Sequence, residues 1–184
     1  MEKYYKRIFW GYLLVILDIN LSMNGINIDV LPDFIGYIMI GKGLYNLSRI
    51  EGIFKKGVNA SYILSAVEIL KIFVVRNVGT ASAFIFMIIE STLWLFVIYS
   101  ICKGIENEGI KYNKEHISDR AKIIWELEFI RTMILMSVSS ITFNFNKGII
   151  LSTVSILLIA FTICITVMVL RLLYIVGDEF YEIK

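Results

Sequence analysis

Four ionisable residues stand inside stretches of this sequence that are otherwise nearly free of charge. They are Glu68, Lys71, Glu90 and Arg131. One charged side chain at the centre of a lipid bilayer costs about 2.5 to 3.5 kcal/mol, so residues of this kind usually face the interior of a helix bundle. There they pair with one another or hold a charged solute. These residue types therefore predict electrostatic pairing or solute recognition.

The spacing of these residues shows which of them can form an ion pair within their own helix. Glu68 and Lys71 are three residues apart, which places them on one helix face and allows a mutual ion pair. Glu90 has no basic residue within one helical turn on either side. Its partner must come from another segment, and Lys71 and Arg131 are the bases at matching depth. Otherwise Glu90 holds a proton or a solute.

Three aspartates near the N-terminus bear on the candidate site. Asp18 lies at a similar depth if the first segment is helical, while Asp29 and Asp33 stand at a predicted outer mouth. An acidic mouth leading to buried glutamates favours a cationic or amine-bearing solute. The candidate ligand-binding residues are Glu90, Glu68, Lys71, Arg131, Asp29 and Asp18.

Residues for other kinds of chemistry are few. Cys102 and Cys164 lie in different apolar segments, and His116, the single histidine, lies in a charged stretch. This excludes a histidine-based metal centre or a Ser-His pair inside the apolar segments. We therefore predict no catalytic residue, no metal site and no cofactor, and expect that the chain is not an enzyme.

Membrane helices are the elements that must position these residues. The chain has 184 residues, of which 58% are hydrophobic and 18% charged, whereas a soluble domain has about 25% charged residues and at most about half apolar ones. Residues 148–170 hold no charge, and residues 80–102 hold only Glu90. Each stretch has the roughly 20 residues that a membrane-spanning helix needs. Residues 58–75 and 123–143 are further candidates with more charges.

Two shorter apolar segments precede these four. Residues 8–17 extend over only about 15 Å as a helix, and residues 34–47 are interrupted by glycines and a lysine. With them, the sequence predicts an all-α integral membrane protein with about six transmembrane segments, the first two short. We expect a single transmembrane domain over residues 1–184, with no soluble domain.

The residues between the two short segments alternate between polar and apolar types on both sides of Asn24-Gly25. This pattern is typical of a two-residue β-hairpin. It predicts a hairpin over about residues 18–31, with residues 21 and 28 facing each other. The alternative is a helix over residues 8–23 with a polar outer half, followed by a loop.

The distribution of basic residues predicts the orientation of the segments. With six spans, one set of loops and termini holds twelve lysines and arginines and the opposite set holds two. We therefore predict a multi-pass protein of the cytoplasmic (inner) membrane. The positive-inside rule places both termini in the cytoplasm and the hairpin on the outer side of the membrane. Acidic residues nearly balance the bases of residues 103–122, so we predict a solvated loop there, with Ser118 or Asp119 capping the next helix, and no nucleic-acid binding.

A distinctive block of residues follows the predicted turn. Residues 28–37 read I-D-V-L-P-D-F-I-G-Y. The block resembles the signature of an uncharacterised family of small polytopic bacterial membrane proteins, whose members carry N-G-x-D-x-L-P-D-F-I-G-Y after a short first apolar segment. The resemblance implies a location in a membrane but no activity.

These patterns leave three kinds of function open. The first is binding or translocation of a small polar or cationic solute through an acidic outer vestibule. The second is a non-catalytic accessory, regulatory or immunity-type role beside a membrane protein partner, with the polar residues holding the bundle together. An intramembrane enzyme is disfavoured because no nucleophile and base stand together. In every case the lipid bilayer surrounds the protein.

Overall fold

The computed structural model describes residues 1–17, 20–23, 26–29, 33–74, 80–144 and 149–180. Within these residues the chain is helical apart from one pair of short strands. The helices are α1 (Glu2–Ile16), α2 (Asp33–Leu47), α3 (Phe54–Val74), α4 (Thr80–Lys111), α5 (Glu115–Asn144) and α6 (Ile149–Glu179). Each predicted apolar segment forms a helix, so the predicted all-α class is confirmed.

The two strands lie between α1 and α2 in the chain. They are β1 (Asn20–Met23) and β2 (Ile26–Asp29), and they pair antiparallel with Leu21 opposite Ile28. Residues 24–25, where the sequence predicts the turn, lie outside the described residues.

The first helix is shorter than one of the two sequence-based alternatives requires. α1 has 15 residues and ends at Ile16, so its length is about 22 Å. The alternative in which one helix runs over residues 8–23 is therefore wrong. Alternating polar and apolar residues lack the 3.6-residue period that would have extended the helix.

The six helices form a closed ring. Each packs against its neighbours in sequence, and α6 packs against α1. Buried apolar side chains from all six helices form one cluster. Several of its fully buried members lie near the end where α1 begins and α6 ends: Tyr5, Phe54, Ile105, Ile117 and Phe180. We call this the terminal end, and the end where α1 finishes and α2 begins the strand end.

A close approach of α1 and α2 places two tyrosines in the ring. A Cβ atom on Gly11 would lie 2.8 Å from the carbonyl oxygen of Gly36, and one on Gly36 would lie 2.7 Å from that of Gly11. Only residues without a Cβ allow the two backbones to come so near. The next residue of each helix, Tyr12 and Tyr37, is consequently buried.

The hydroxyl of Ser100 fixes α3 to α4. Its Oγ accepts a hydrogen bond from the backbone N–H of Gly57 at 3.1 Å and donates one to the carbonyl oxygen of Ile53 at 3.0 Å. These bonds join the first turn of α3 to the middle of α4. They set the relative position of the two helices that carry Lys71 and Glu90.

The charged stretch over residues 103–122 is not the solvated loop that the sequence predicts. α4 continues to Lys111 and α5 begins at Glu115, so the connection is short. The prediction that Ser118 or Asp119 caps α5 is wrong for the same reason. Hydropathy marks where apolar surface ends, whereas a helix continues until a residue breaks its hydrogen bonding.

One carboxylate of that stretch lies in the core. Glu108 is 1% exposed and accepts a hydrogen bond from the hydroxyl of Tyr5. This hydrogen bond joins the first turn of α1 to the last turn of α4 at the terminal end.

Two helices of the described chain have the length and apolarity of membrane-spanning helices, rather than the six that the sequence predicts. These stretches are Phe84–Lys111 in α4 and Thr153–Glu179 in α6. α1 and α2 are too short at 15 residues each, and α3 and α5 carry several charged residues. A charged side chain that faces the interior of the bundle still lowers the mean hydropathy of its helix. Mean hydropathy alone therefore does not decide whether such a helix crosses a membrane.

Candidate functional site

A partly open cavity of about 270 Å³ lies inside the ring, between α1, α2, α4, α5 and α6. Its polar lining comes from α4, α5 and α6: Glu90, Ser91, Glu128, Arg131, Thr162 and Thr166. At a rise of 1.5 Å per residue, Glu90 lies about 15 Å from the start of α4. A bilayer core is about 30 Å thick, so the cavity would lie near its middle if α4 crosses it.

One side of the cavity carries a group of three charges from α3 and α4, which we call the lysine group. The Nζ atom of Lys71 lies 3.0 Å from a carboxylate oxygen of Glu68, three residues before it. The same atom lies 2.7 Å from Oε1 of Glu90 on α4. Lys71 thus bridges two carboxylates. The predicted pairing of Glu90 with Lys71 or Arg131 is confirmed for Lys71.

The neighbouring helix α5 carries an ion pair that also lines the cavity, which we call the arginine pair. Nη2 of Arg131 lies 2.6 Å from Oε1 of Glu128, and Nε lies 2.8 Å from Oε2. Two parallel contacts of this kind are the strong bidentate geometry of arginine with a carboxylate. Arg131 is therefore engaged by its own helix and does not pair with Glu90 in the structure.

The ionisable groups beside the cavity differ between the two sets. The lysine group contains two carboxylates and one ammonium, and the arginine pair contains one charge of each sign. Glu90 is the carboxylate of the lysine group that lines the cavity. A cation in the cavity would therefore lie against a carboxylate and be attracted to it.

Three aromatic side chains form one wall of the cavity. The rings of Tyr12 and Trp94 are stacked with centroids 5.3 Å apart, and the ring of Tyr37 meets Trp94 edge-on at 5.8 Å. All three residues line the cavity. The faces of tryptophan and tyrosine rings attract organic cations, most strongly when water is excluded.

The structure brings together four of the six residues that the sequence singles out. Glu90 and Arg131 line the cavity directly, and Lys71 joins Glu68 to Glu90 behind it. The other two candidates differ. Asp29 is the last residue of β2, with its side chain outside what the structure describes, and Asp18 lies outside the described residues altogether.

The aromatic wall and the threonines of α6 were not predicted as site residues. Tyr12, Tyr37 and Trp94 stand in apolar segments, where aromatic residues usually pack in a core and give no sign of a cavity. Thr162 belongs to a row of small residues on α6, a pattern that indicates close helix packing. Only the closure of the ring between α1 and α6 brings these residues to the same space.

Other groups that bear on chemistry lie apart from this cavity. Cys102 is buried and Cys164 exposed, and both are free thiols. Among the described residues, no three histidine, cysteine, aspartate or glutamate side chains are placed so that they could hold a metal ion.

Comparison with known proteins gives no relative from which a role could be transferred. No family model matches the chain, and neither does any curated protein or solved structure.

Proposed function

We propose that the chain is an integral membrane protein that binds or translocates a small cationic or polar solute in the cavity between the lysine group and the arginine pair. The observation that carries this proposal is a partly open cavity that is lined by the carboxylate of Glu90 and has an aromatic wall. A bundle with a purely structural role needs no such space.

The membrane location is supported by the outer surface of the ring. Large apolar side chains are exposed on α4 and α6, for example Ile85, Ile156 and Ile163. Only 22% of the most apolar stretch of each helix is buried inside the protein. The core helix of a soluble protein would be mostly buried, so these surfaces suit contact with lipid acyl chains.

We propose that the other four helices also cross the membrane, which gives six segments in all. They too expose large apolar side chains, among them Trp10 on α1, Ile63 on α3 and Ile130 on α5. Near the middle of the bundle, Glu68 pairs with Lys71 within α3, and Glu128 pairs with Arg131 within α5. Each ion pair reduces the free-energy cost of placing its charges inside a membrane. Two short helices joined by non-helical backbone are a frequent way to build a solute site in transporters.

The orientation follows from the basic residues. We place both termini in the cytoplasm and the strand end outside, because the terminal end carries most of the lysines and arginines. Asp29 and Asp33 then stand at the outer side as an acidic vestibule that attracts cations. The resemblance of residues 28–37 to an uncharacterised family of small polytopic bacterial membrane proteins belongs to the same proposal.

The size and lining of the cavity favour a particular kind of solute. A volume of about 270 Å³ lies just below the range of about 300 to 1,000 Å³ of sites for drug-sized ligands. The carboxylate of Glu90 in the lining matches one positive charge, and the aromatic wall matches an alkylated ammonium better than a hydrated metal ion. We therefore favour a small organic monocation.

Native mass spectrometry of the gently solubilised protein tests this function. The wild-type protein is expected to retain a small cation that Glu90→Gln loses. Glu126 lies on the same bundle but is exposed and does not line the cavity, so Glu126→Gln is the matched control and keeps the ligand. Retention that is equal in all three proteins would contradict the assignment of the ligand to this cavity.

A second function, that of a non-catalytic accessory, regulatory or immunity-type protein, is favoured by one observation. Each base beside the cavity is paired with a carboxylate, and buried pairs of this kind can hold a bundle together without any ligand. For such a protein, a membrane protein partner would co-purify, and Glu90→Gln would leave its retention unchanged.

A further inference from the structure

A groove on the outside of the ring, between α5 and α6, differs from the rest of the apolar surface. It has a volume of about 210 Å³ and lies nearer the terminal end than the solute cavity. Its walls are aliphatic side chains of both helices, such as Ile123 and Met168. Two arginines, Arg120 on α5 and Arg171 on α6, also line it.

Within the described residues, the two arginines have no carboxylate partner. Both are exposed, and among the described residues neither forms an ion pair. Lys71 and Arg131 beside the solute cavity, in contrast, are both paired with carboxylates. Two free guanidinium groups that border one apolar groove indicate a ligand with a negative head and an apolar tail.

The height of the two arginines fits the boundary of a membrane. Arg171 lies about 33 Å from the start of α6, and Arg120 lies about 36 Å from the end of α5, at 1.5 Å per residue. The hydrocarbon core is about 30 Å thick. If that core begins near the strand end, both guanidinium groups reach the layer of lipid head groups at the terminal end.

We propose that this groove is a binding site for an anionic phospholipid of the cytoplasmic leaflet. Arg120 and Arg171 bind the phosphate oxygens, and an acyl chain lies along the aliphatic walls. Ile123 belongs to both the groove and the exposed apolar surface, so the groove continues the face that contacts lipid. Basic pockets between membrane helices on the cytoplasmic side are suited to anionic head groups. The proposal uses the membrane location proposed above but is independent of the solute cavity.

Lipid titration of the purified full chain in a neutral detergent tests the site. Phosphatidylglycerol and phosphatidylcholine with identical acyl chains are added separately, and both Tm and the number of lipids retained in native mass spectrometry are measured. The wild-type protein is expected to retain phosphatidylglycerol preferentially and to gain at least twice the rise in Tm that phosphatidylcholine gives. Equal retention of the two lipids would overturn the proposal, and this comparison needs no variant.

Matched variants localise the effect. The double variant R120Q/R171Q is expected to lose the preference for phosphatidylglycerol. The double variant K111Q/K122Q removes the same number of charges from exposed residues that do not line the groove, and is expected to keep it. An equal loss in both double variants would indicate general surface electrostatics and overturn the site. An equal rise in Tm with inorganic phosphate would overturn the assignment to a lipid.

Discussion

The lysine group and the arginine pair border the same cavity but differ in how many carboxylates pair with the base. Lys71 has two carboxylates from two helices, whereas Arg131 has only Glu128 as an ion-pair partner within the described chain. The side chains of Arg131 and Glu128 are 12% and 3% exposed, against 31% and 23% for Lys71 and Glu90. The arginine pair therefore belongs to the structural frame, while the lysine group has a carboxylate available to a ligand.

The largest effect is expected from breaking the arginine pair. Glu128→Gln leaves the guanidinium of Arg131 buried without its counter-charge, a change that costs about 3 to 5 kcal/mol. The thermal unfolding of the detergent-solubilised variant should show this loss, and Glu126→Gln on the exposed face of α5 should show almost none. If the two variants unfold at the same temperature, the arginine pair is not part of the frame.

A smaller loss is expected when both carboxylates of the lysine group are removed. The double variant E68Q/E90Q leaves Lys71 without a counter-charge, but its partial exposure allows water to solvate it, so we expect a cost of about 2 kcal/mol. Each single variant keeps one carboxylate, and the double loss should exceed the sum of the single losses. Strict additivity of the free energies of unfolding would contradict the redundancy of the group.

The smallest effect on stability is expected from Glu90→Gln alone. Lys71 remains paired with Glu68, so the free energy of unfolding should change by no more than about 1 kcal/mol. If Glu90→Gln lowers the free energy of unfolding as much as Glu128→Gln does, Glu68 does not compensate for the lost carboxylate.

Pairings on one helix could be predicted from the sequence, and pairings between helices only in part. Three-residue spacing identifies Glu68 with Lys71, and the same spacing relates Glu128 to Arg131. For Glu90 the sequence limits the partner to two bases at the right depth. The structure selects Lys71 because Arg131 is already held by its own helix.

The cavity itself was not predictable, because it depends on how the ring closes. Tyr12 and Tyr37 reach its wall since Gly11 and Gly36 let α1 and α2 come together, and Trp94 meets them from α4. Apolar periodicity marks which residues are buried but not which helices become neighbours.

The pattern of apolar residues predicted the positions of the helices more accurately than the residues at which they end. The charges of residues 103–111 predicted a loop, but α4 continues through them to Lys111, since a helix may extend beyond the apolar layer. Alternation of residue types identified the stretch that contains β1 and β2, which pair in the structure. The complete hairpin stays a prediction because its turn lies outside the described residues.

Ligand-induced stabilisation of the wild-type protein and Glu90→Gln tests the central claim most directly. Small organic cations, from methylammonium to tetramethylammonium, are compared with sodium chloride at equal ionic strength. At ten times its Kd, a ligand adds about 1.4 kcal/mol, which raises Tm by about 3 to 5 °C in a chain of this size. We predict that at least one organic cation gives this rise in the wild-type protein and in Glu126→Gln, and none in the folded Glu90→Gln variant. The same rise in Glu90→Gln, or no rise with any organic cation in the wild-type protein, would contradict a cation site beside the lysine group.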